Sequence, residues 1–557
     1  MTAIADRRPG SLTDDRAIAL ADSQRTVHWL VRTAAIVPAF VSLGYATLVG
    51  GPAGVLTLPV IVQAVLVMIA VEVSRTTSSG LRVDALTLFS AWEAMRGCMT
   101  PLLIQLVGNG SSFHYRLGSY ADAAFVLDLA ILFFGTVIAA RLTVALLRGR
   151  RADPRQGRRA DPRHGGDRPR PVVGVVPLTG SRIPSWSLVV LGCIGLVIRF
   201  PGPAAVTAFL SGSITGLQGT DVVASSGLAL AGMLLRPLLF IGLAIMVRDR
   251  RRQGRSVLPL VPPLLVALVF GLASYGLNRA TVAYAVIAMV LVGSERAQRA
   301  VRLVPTVAGV ALLGTFFVAV GTVRATLWVS RTALDAPQVG LVPVLQSVIP
   351  YFGTPMQLAA ALPPVRTSNP FGLRSFVLSL LSPVPGAPDV ARTDSSTALY
   401  NNVVYHSFLG KDQLLPTWFE GYLCFGGLGV VGAGVVVGVL QAVSDALRRR
   451  LSSILGAYAA ALGVLWIAQA GVTSFGVIEQ NAIYFVLTPS VLAAGAALWP
   501  ARSGARSGAR SGAGPARCDR PDALPTTPLP TLRAHPLSAG AVPTPRVRRP
   551  EPRRTTS

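Results

Sequence analysis

The sequence predicts an all-α polytopic integral membrane protein of about 12 transmembrane helices, with a large extracytoplasmic loop between the ninth and tenth. Three observations carry this. The 557 residues are 51% apolar and only 14% charged, with a mean hydropathy of +0.55; an ordinary soluble chain carries about 25% charged residues. Several stretches run for close to 20 residues with few charges, the length that crosses ~30 Å of hydrocarbon. Strongly basic segments fall at alternate ends of these runs, as the enrichment of Lys and Arg in cytoplasmic loops requires. A β-barrel would alternate apolar and polar residues, and these runs do not.

The net charge of +26 follows from arginines gathered in cytoplasmic loops, so no nucleic-acid partner is expected. Lys411 is the only lysine among 51 lysines and arginines. Cys98, Cys193, Cys424 and Cys518 are far apart and lack CxxC spacing, and the five histidines are scattered. Neither a disulfide framework nor a metal site is expected.

Residues 1–26 are polar and charged and read as a poorly ordered cytoplasmic tail with no cleavable signal peptide. Residues 27–147 hold the first four spans. The first, 27–49, and second, 55–73, are joined by the uncharged turn Gly50–Gly54 (GGPAG). Arg75 and Arg82 mark the cytoplasmic side. The third run, 83–107, is less apolar and contains Asp84, Glu93 and Arg96. Glu93 and Arg96 are three apart, share a helix face and read as an intramembrane pair rather than substrate ligands. An outer loop, Gly108–Tyr120, precedes the fourth span, 121–147.

Residues 148–182 form a basic, Pro/Gly-rich loop with a repeated RRADPR at Arg150–Arg155 and Arg158–Arg163. This composition builds no core, and its ten arginines place it in the cytoplasm. Residues 183–323 hold the fifth to ninth spans, at 183–198, 222–247, 257–275, 280–292 and 303–323. Basic segments at Arg248–Arg255 and Glu295–Arg302 lie inside. Residues 324–416 form the large outer loop. Within it, 342–362 and 371–382 are apolar but too short or broken for ordinary spans and read as interfacial or re-entrant helices; loops of this length are usually functional. Residues 417–499 hold the last three spans, at 418–443, 451–470 and 478–498. Residues 500–557, with RSGA repeated at Arg502, Arg506 and Arg510, read as a disordered basic tail. Both termini are expected in the cytoplasm.

Arginines at outer span ends are the candidate ligands, because topology does not explain them. They are Arg199, Arg279, Arg324, Arg331 and Arg374, with Arg236 deeper. The guanidinium fork suits phosphate and pyrophosphate oxygens. The other reading is that each snorkels or pairs with Asp335, Asp394, Asp412 or Glu420. Glu420 stands where loop meets bilayer and is followed by glycines at 421, 426, 427 and 429 that permit close backbone approach. Its carboxylate is a candidate general base or a salt-bridge partner. Asn401, Tyr405 and His406 suit sugar hydroxyls, and are equally ordinary residues of a membrane interface.

Three segments together resemble the bacterial O-antigen polymerase family (oligosaccharide repeat unit polymerases). They are Ser274–Val290 (SYGLNRATVAYAVIAMV), Ile198–Leu239 (IRFPGPAAVTAF…LLRPLL) and Trp418–Leu440 (WFEGYLCFGGLGVVGAGVVVGVL). The resemblance covers the layout of residues 30–500, with few identities. It implies metal- and cofactor-independent glycosyl transfer on the outer face of the cytoplasmic membrane. A glycan on undecaprenyl pyrophosphate would move to a second lipid-linked unit, with membrane lipid and other polysaccharide-assembly proteins as partners. Arg279 matches the family's pattern as a pyrophosphate ligand, and Glu420 stands at its acidic position. Arg199, Arg324 and Arg374 are placed by topology.

An O-antigen ligase would use arginines in the same way. A glycosyltransferase using polyprenyl-phosphate sugars would carry acids in the first outer loop, which here is GGPAG. A lipid-linked-sugar flippase or polysaccharide transporter would show inverted repeats with Gly/Pro-broken helices in both halves. A membrane scaffold protein is the remaining alternative.

Overall fold

The computed structural model describes residues 11–77, 81, 83–108, 118–151, 183–199, 227–263, 284–285, 287–292, 355–367, 369–405 and 415–498. Every regular element among them is helical. Seven are long and apolar enough to cross a membrane: Ala21–Leu48, Pro52–Thr77, Tyr120–Arg148, Leu230–Arg250, Thr417–Arg450, Ile454–Gly471 and Phe475–Leu498. They coincide with the first, second, fourth, sixth, tenth, eleventh and twelfth expected spans and support a polytopic membrane protein. The fifth is a shorter apolar helix, Ser185–Ile198. The ninth, and much of the seventh and eighth, lie outside the described residues, as do the RRADPR loop and the RSGA tail.

Helix α1 (Ser11–Leu48) leads through Gly50 and Gly51, at φ 69° and 84°, into a 3-10 turn (Pro52–Leu56) and α2 (Thr57–Thr77). The left-handed φ values explain glycine at both positions. Beside this turn Ser42, Thr57 and Gln105 form a closed polar network. Ser42 Oγ donates to Gln105 Oε1 at 2.7 Å, and Gln105 Nε2 donates to the Ala53 carbonyl at 3.1 Å. Helix α3 (Ala85–Glu93), a π turn (Ala94–Met99) and α4 (Thr100–Val107) form one run. Asp84, expected within that run, instead caps it, its side chain accepting from Thr87 N–H at 2.8 Å.

Helix α5 (Tyr120–Arg151) follows, then α6 (Ser185–Arg199), α7 (Gly227–Leu235) and α8 (Pro237–Arg252). The α7–α8 break falls at Arg236–Pro237, where proline supplies no N–H to continue the first helix. Five short helices come from the expected outer loop: α9 (Pro355–Ala359), α10 (Leu362–Thr367), α11 (Leu373–Leu381), α12 (Val390–Thr393) and α13 (Ser396–Tyr405). Segments 342–362 and 371–382 thus contribute no single spanning helix among the described residues. The bundle closes with α14 (Thr417–Arg450), α15 (Ile454–Ala468), α16 (Phe475–Asn481), a second π turn (Ala482–Leu487) and α17 (Thr488–Leu498).

The most intimate helix pair is α5 with α14, and glycine makes it possible. A Cβ on Gly434 would stand 2.7 Å from Thr136 Cβ, and one on Gly438 2.7 Å from Ala140 Cβ. Two glycines four apart let membrane helices meet backbone to backbone. At one end of this pair Arg141 bridges two buried carboxylates, Asp445 at 2.7 Å and Asp84 at 3.2 Å, while Arg448 stands 3.4 Å from Asp445. At the other end Thr417 Oγ1 donates to the Ala470 carbonyl at 2.9 Å. The basic run Arg448–Arg450 and the acid Glu420 therefore occupy opposite ends of α14.

Candidate functional site

The 34 residues of α14 would span about 51 Å as a straight helix, well beyond the bilayer core. The chain bends instead at Gly426, at φ 64° and ψ −151°. It folds back so tightly that a Cβ on Gly429 would lie 2.0 Å from the Gly421 carbonyl oxygen. Residues 427–450 remain to cross the membrane. Residues 417–425 become a separate short arm carrying Trp418, Glu420, Tyr422 and Cys424. Of the glycines expected to permit close approach, 421 and 429 do so, against each other within one chain; 426 serves the bend through its positive φ, and 427 meets no neighbour.

Aromatic packing fixes this arm. Phe419 stacks on Tyr422 with centroids 6.1 Å apart, and Tyr400 meets Phe419 edge-on at 6.5 Å. Phe376 of α11 meets Phe425 at 5.3 Å and Phe475 at 5.9 Å. Helices α11, α13 and α16 thus close over the arm, and α9 packs on α5, the Gly118 N–H just ahead of α5 donating to the Met356 carbonyl at 2.8 Å.

Glu420 lies at the centre, with no exposed surface. Ser396, the first residue of α13, donates its hydroxyl to Oε1. The backbone N–H of Phe475, the first residue of α16, donates to Oε2 at 2.9 Å. No arginine among the described residues accompanies the carboxylate. Hydrogen bonds from neutral donors offset only part of the cost of removing a carboxylate from water. A buried acid kept on these terms in a membrane protein is a candidate functional position. The salt-bridge alternative for Glu420 finds no partner among the described residues.

The other expected site residues separate. Asn401 is on α13, 1% exposed, and neither atom of its side-chain amide has a hydrogen-bond partner among the described residues. A buried amide left unsatisfied costs ~1–3 kcal/mol. Arg374, on α11, is exposed and pairs with Asp394 at 3.0 Å; of its two readings, the structure carries the ion pair. Arg199 ends α6, a helix whose Gly192 and Gly195 pack against Leu239 and Arg236. The side chains of Arg199 and Tyr405, and the whole of His406, Arg279, Arg324 and Arg331, lie outside the described residues.

Sequence reasoning missed Ser396 and Phe475, which donate to Glu420, and Ser379, whose hydroxyl lies beside it. Phe475 acts through its backbone, which no side-chain pattern signals. Ser396 stands in the run SS at 395–396, whose helix-starting tendency was the available clue. The paired Glu93 and Arg96 were read from spacing, but their place beneath the arm was not: the Arg96 guanidinium lies 5.2 Å from the Trp418 ring centroid. Among the described residues no three His, Cys, Asp or Glu side chains gather in a way that could hold a metal ion. In comparisons with protein-family models, curated proteins and solved structures, nothing matches this chain.

Proposed function

We propose that the protein polymerises lipid-linked oligosaccharide repeat units on the outer face of the cytoplasmic membrane. The arm of residues 417–425 and the helices over it form the transfer site. The supporting observation is the state of Glu420, a buried carboxylate that accepts a hydrogen bond from an alcohol, Ser396, with no cation beside it among the described residues. A sugar hydroxyl replacing Ser396 would meet the same oxygen, and the carboxylate would take its proton as the hydroxyl attacks the anomeric carbon. The bond from that carbon to the pyrophosphate oxygen breaks, and polyprenyl pyrophosphate leaves. Arg279 and Arg324 would hold its oxygens, and Asn401, with unfilled hydrogen-bonding capacity, would meet sugar hydroxyls. The orientation follows from charge: Arg448–Arg450 end α14 on the cytoplasmic side, which puts Glu420 outside.

A second reading, a flippase for lipid-linked sugars, has one observation in its favour. Two helices are interrupted, at Arg236–Pro237 and at Gly426, and such breaks frame transport sites. Deleting the gene and examining surface polysaccharide separates the two. Loss of long chains with single units retained, restored by the wild-type gene but not by Glu420→Ala or Arg279→Ala, supports the polymerase. Single units trapped inside would sink it in favour of the flippase.

A further inference from the structure

We infer that Glu93, Arg96 and Gly471 are positioning residues for the Glu420 arm. The consequence for catalysis rests on the proposed role of Glu420; the mechanical linkage does not.

The Glu93–Arg96 pair is sealed from solvent, at 0% and 3% side-chain exposure. The Arg96 guanidinium donates to Glu93 Oε2, and Gln63 Nε2 donates to the same oxygen at 2.8 Å. The other Glu93 oxygen presses on the backbone of Gly471, where a Cβ would stand 2.2 Å from it. Only glycine lets the carboxylate reach that depth. The Gly471 carbonyl in turn accepts the Trp418 indole N–H at 3.3 Å, and Arg96 covers the ring of that same tryptophan. Trp418 is on the arm that carries Glu420. Gly471 is in the turn that leads to Phe475, whose N–H holds Glu420 Oε2. The segment that carries the acid and the turn that grips it therefore rest on one ion pair.

Stability alone does not account for this pair. A buried ion pair is often no better than apolar side chains of equal volume. Among the described residues this one leaves Glu93 Oε1, Gln63 Oε1 and Arg96 Nε without hydrogen-bond partners, which adds to its cost. It also stands at a π turn, a wide turn that is frequent at functional sites; the Thr100 hydroxyl satisfies the Met95 carbonyl there at 3.0 Å. A direct substrate contact is opposed by the cover that Trp418 and Gly471 provide. The geometry fits a fixed charge that holds Trp418 and, through it, the arm.

Cys424 sits on the arm, half-buried, with its sulfur 3.8 Å from Ser375 Oγ, and reports the arm's position without reference to activity. The test is the rate at which N-ethylmaleimide labels Cys424 in the full chain in detergent, read by peptide mass spectrometry, with added N-acetylcysteine as the reference thiol. Measurements are made below each variant's unfolding midpoint. Arg96→Met should raise the Cys424 rate about tenfold, as expected for loss of a desolvated cation–π contact, and Arg96→Lys should largely restore it. Gly471→Ala should also raise it, and Glu93→Ala/Gly471→Ala should label no faster than Glu93→Ala, because the new methyl group then has room. Should Gly471→Ala fail to fold, the Met and Lys variants at position 96 carry the test alone. An unchanged rate in folded Arg96→Met would overturn the proposal. So would an equal rise in Ser42→Ala, a variant of the separate Ser42–Gln105 network. A rise at Cys424 together with normal glycan length from Glu420→Gln would leave the linkage standing and remove catalysis at Glu420.

Discussion

Replacing Arg141 by Met should be among the most destabilising single changes in the described bundle. Arg141 bridges Asp445 at 2.7 Å and Asp84 at 3.2 Å, and all three side chains are at most 6% exposed. Breaking a buried pair from one side leaves an uncompensated charge and costs ~3–5 kcal/mol. Here both acids keep other donors. Asp84 Oδ1 accepts from Ser74 at 2.7 Å and from Thr87 N–H at 2.8 Å. Asp445 Oδ1 keeps the Ala85 N–H at 3.0 Å and Arg448 at 3.4 Å. The lower end, about 3 kcal/mol, is therefore expected. Adding Asp445→Asn to Arg141→Met should return at least ~1 kcal/mol, because the two residues share one network. Reversible unfolding in mixed micelles, followed by tryptophan fluorescence, measures both. A loss below ~1 kcal/mol for Arg141→Met, or strict additivity of the double variant, would refute the view of this cluster as one interdependent clamp. Arg374→Ala, which removes an exposed pair, should cost under ~0.5 kcal/mol in the same assay.

Three further outcomes follow from the geometry. Gly426→Ala places a side chain at φ 64° and ψ −151°, a region essentially confined to glycine, with no neighbouring atom to clash, so backbone strain alone should cost ~1–3 kcal/mol, read in the same micelle titration. Gly438→Leu must displace Ala140 and Val137 and force α5 from α14, with a loss of ~1–3 kcal/mol or more. Asn401→Leu replaces an unsatisfied amide by a hydrocarbon of similar size, so it should leave stability unchanged or raised by ~1 kcal/mol. If Asn401 meets sugar, the same variant should shorten the surface glycan. A stable Asn401→Leu protein making glycan of normal length would remove that residue from the site.

Much of the bundle is legible in the sequence because lipid imposes a simple rule: apolar runs of sufficient length become helices. The pair at Glu93 and Arg96 was legible for the same local reason, three residues being nearly one helical turn. The Asp84–Arg141–Asp445 clamp was not. Its members stand 57 and 304 residues apart, and only a charge inside or just past each apolar run hinted at them. The glycines after Glu420 announced a close contact but not its partner, which proved to be the same chain folded back at Gly426. Treating 418–443 as an ordinary span hid the arm. The phosphate ligands rested on topology, which places a residue on a side of the membrane but not beside another residue. Arg374 illustrates the difference, being paired with Asp394 at the surface.

The central claim is glycosyl transfer at Glu420, and reconstitution tests it most directly. Purified protein in liposomes would be given polyprenyl-pyrophosphate-linked repeat units, with a divalent-cation chelator present, and the products sized. The account predicts glycans of two or more units with release of polyprenyl pyrophosphate, and none from Glu420→Gln inserted at the same level. Polymer of normal length from Glu420→Gln, or single units crossing the bilayer without being joined, would contradict it.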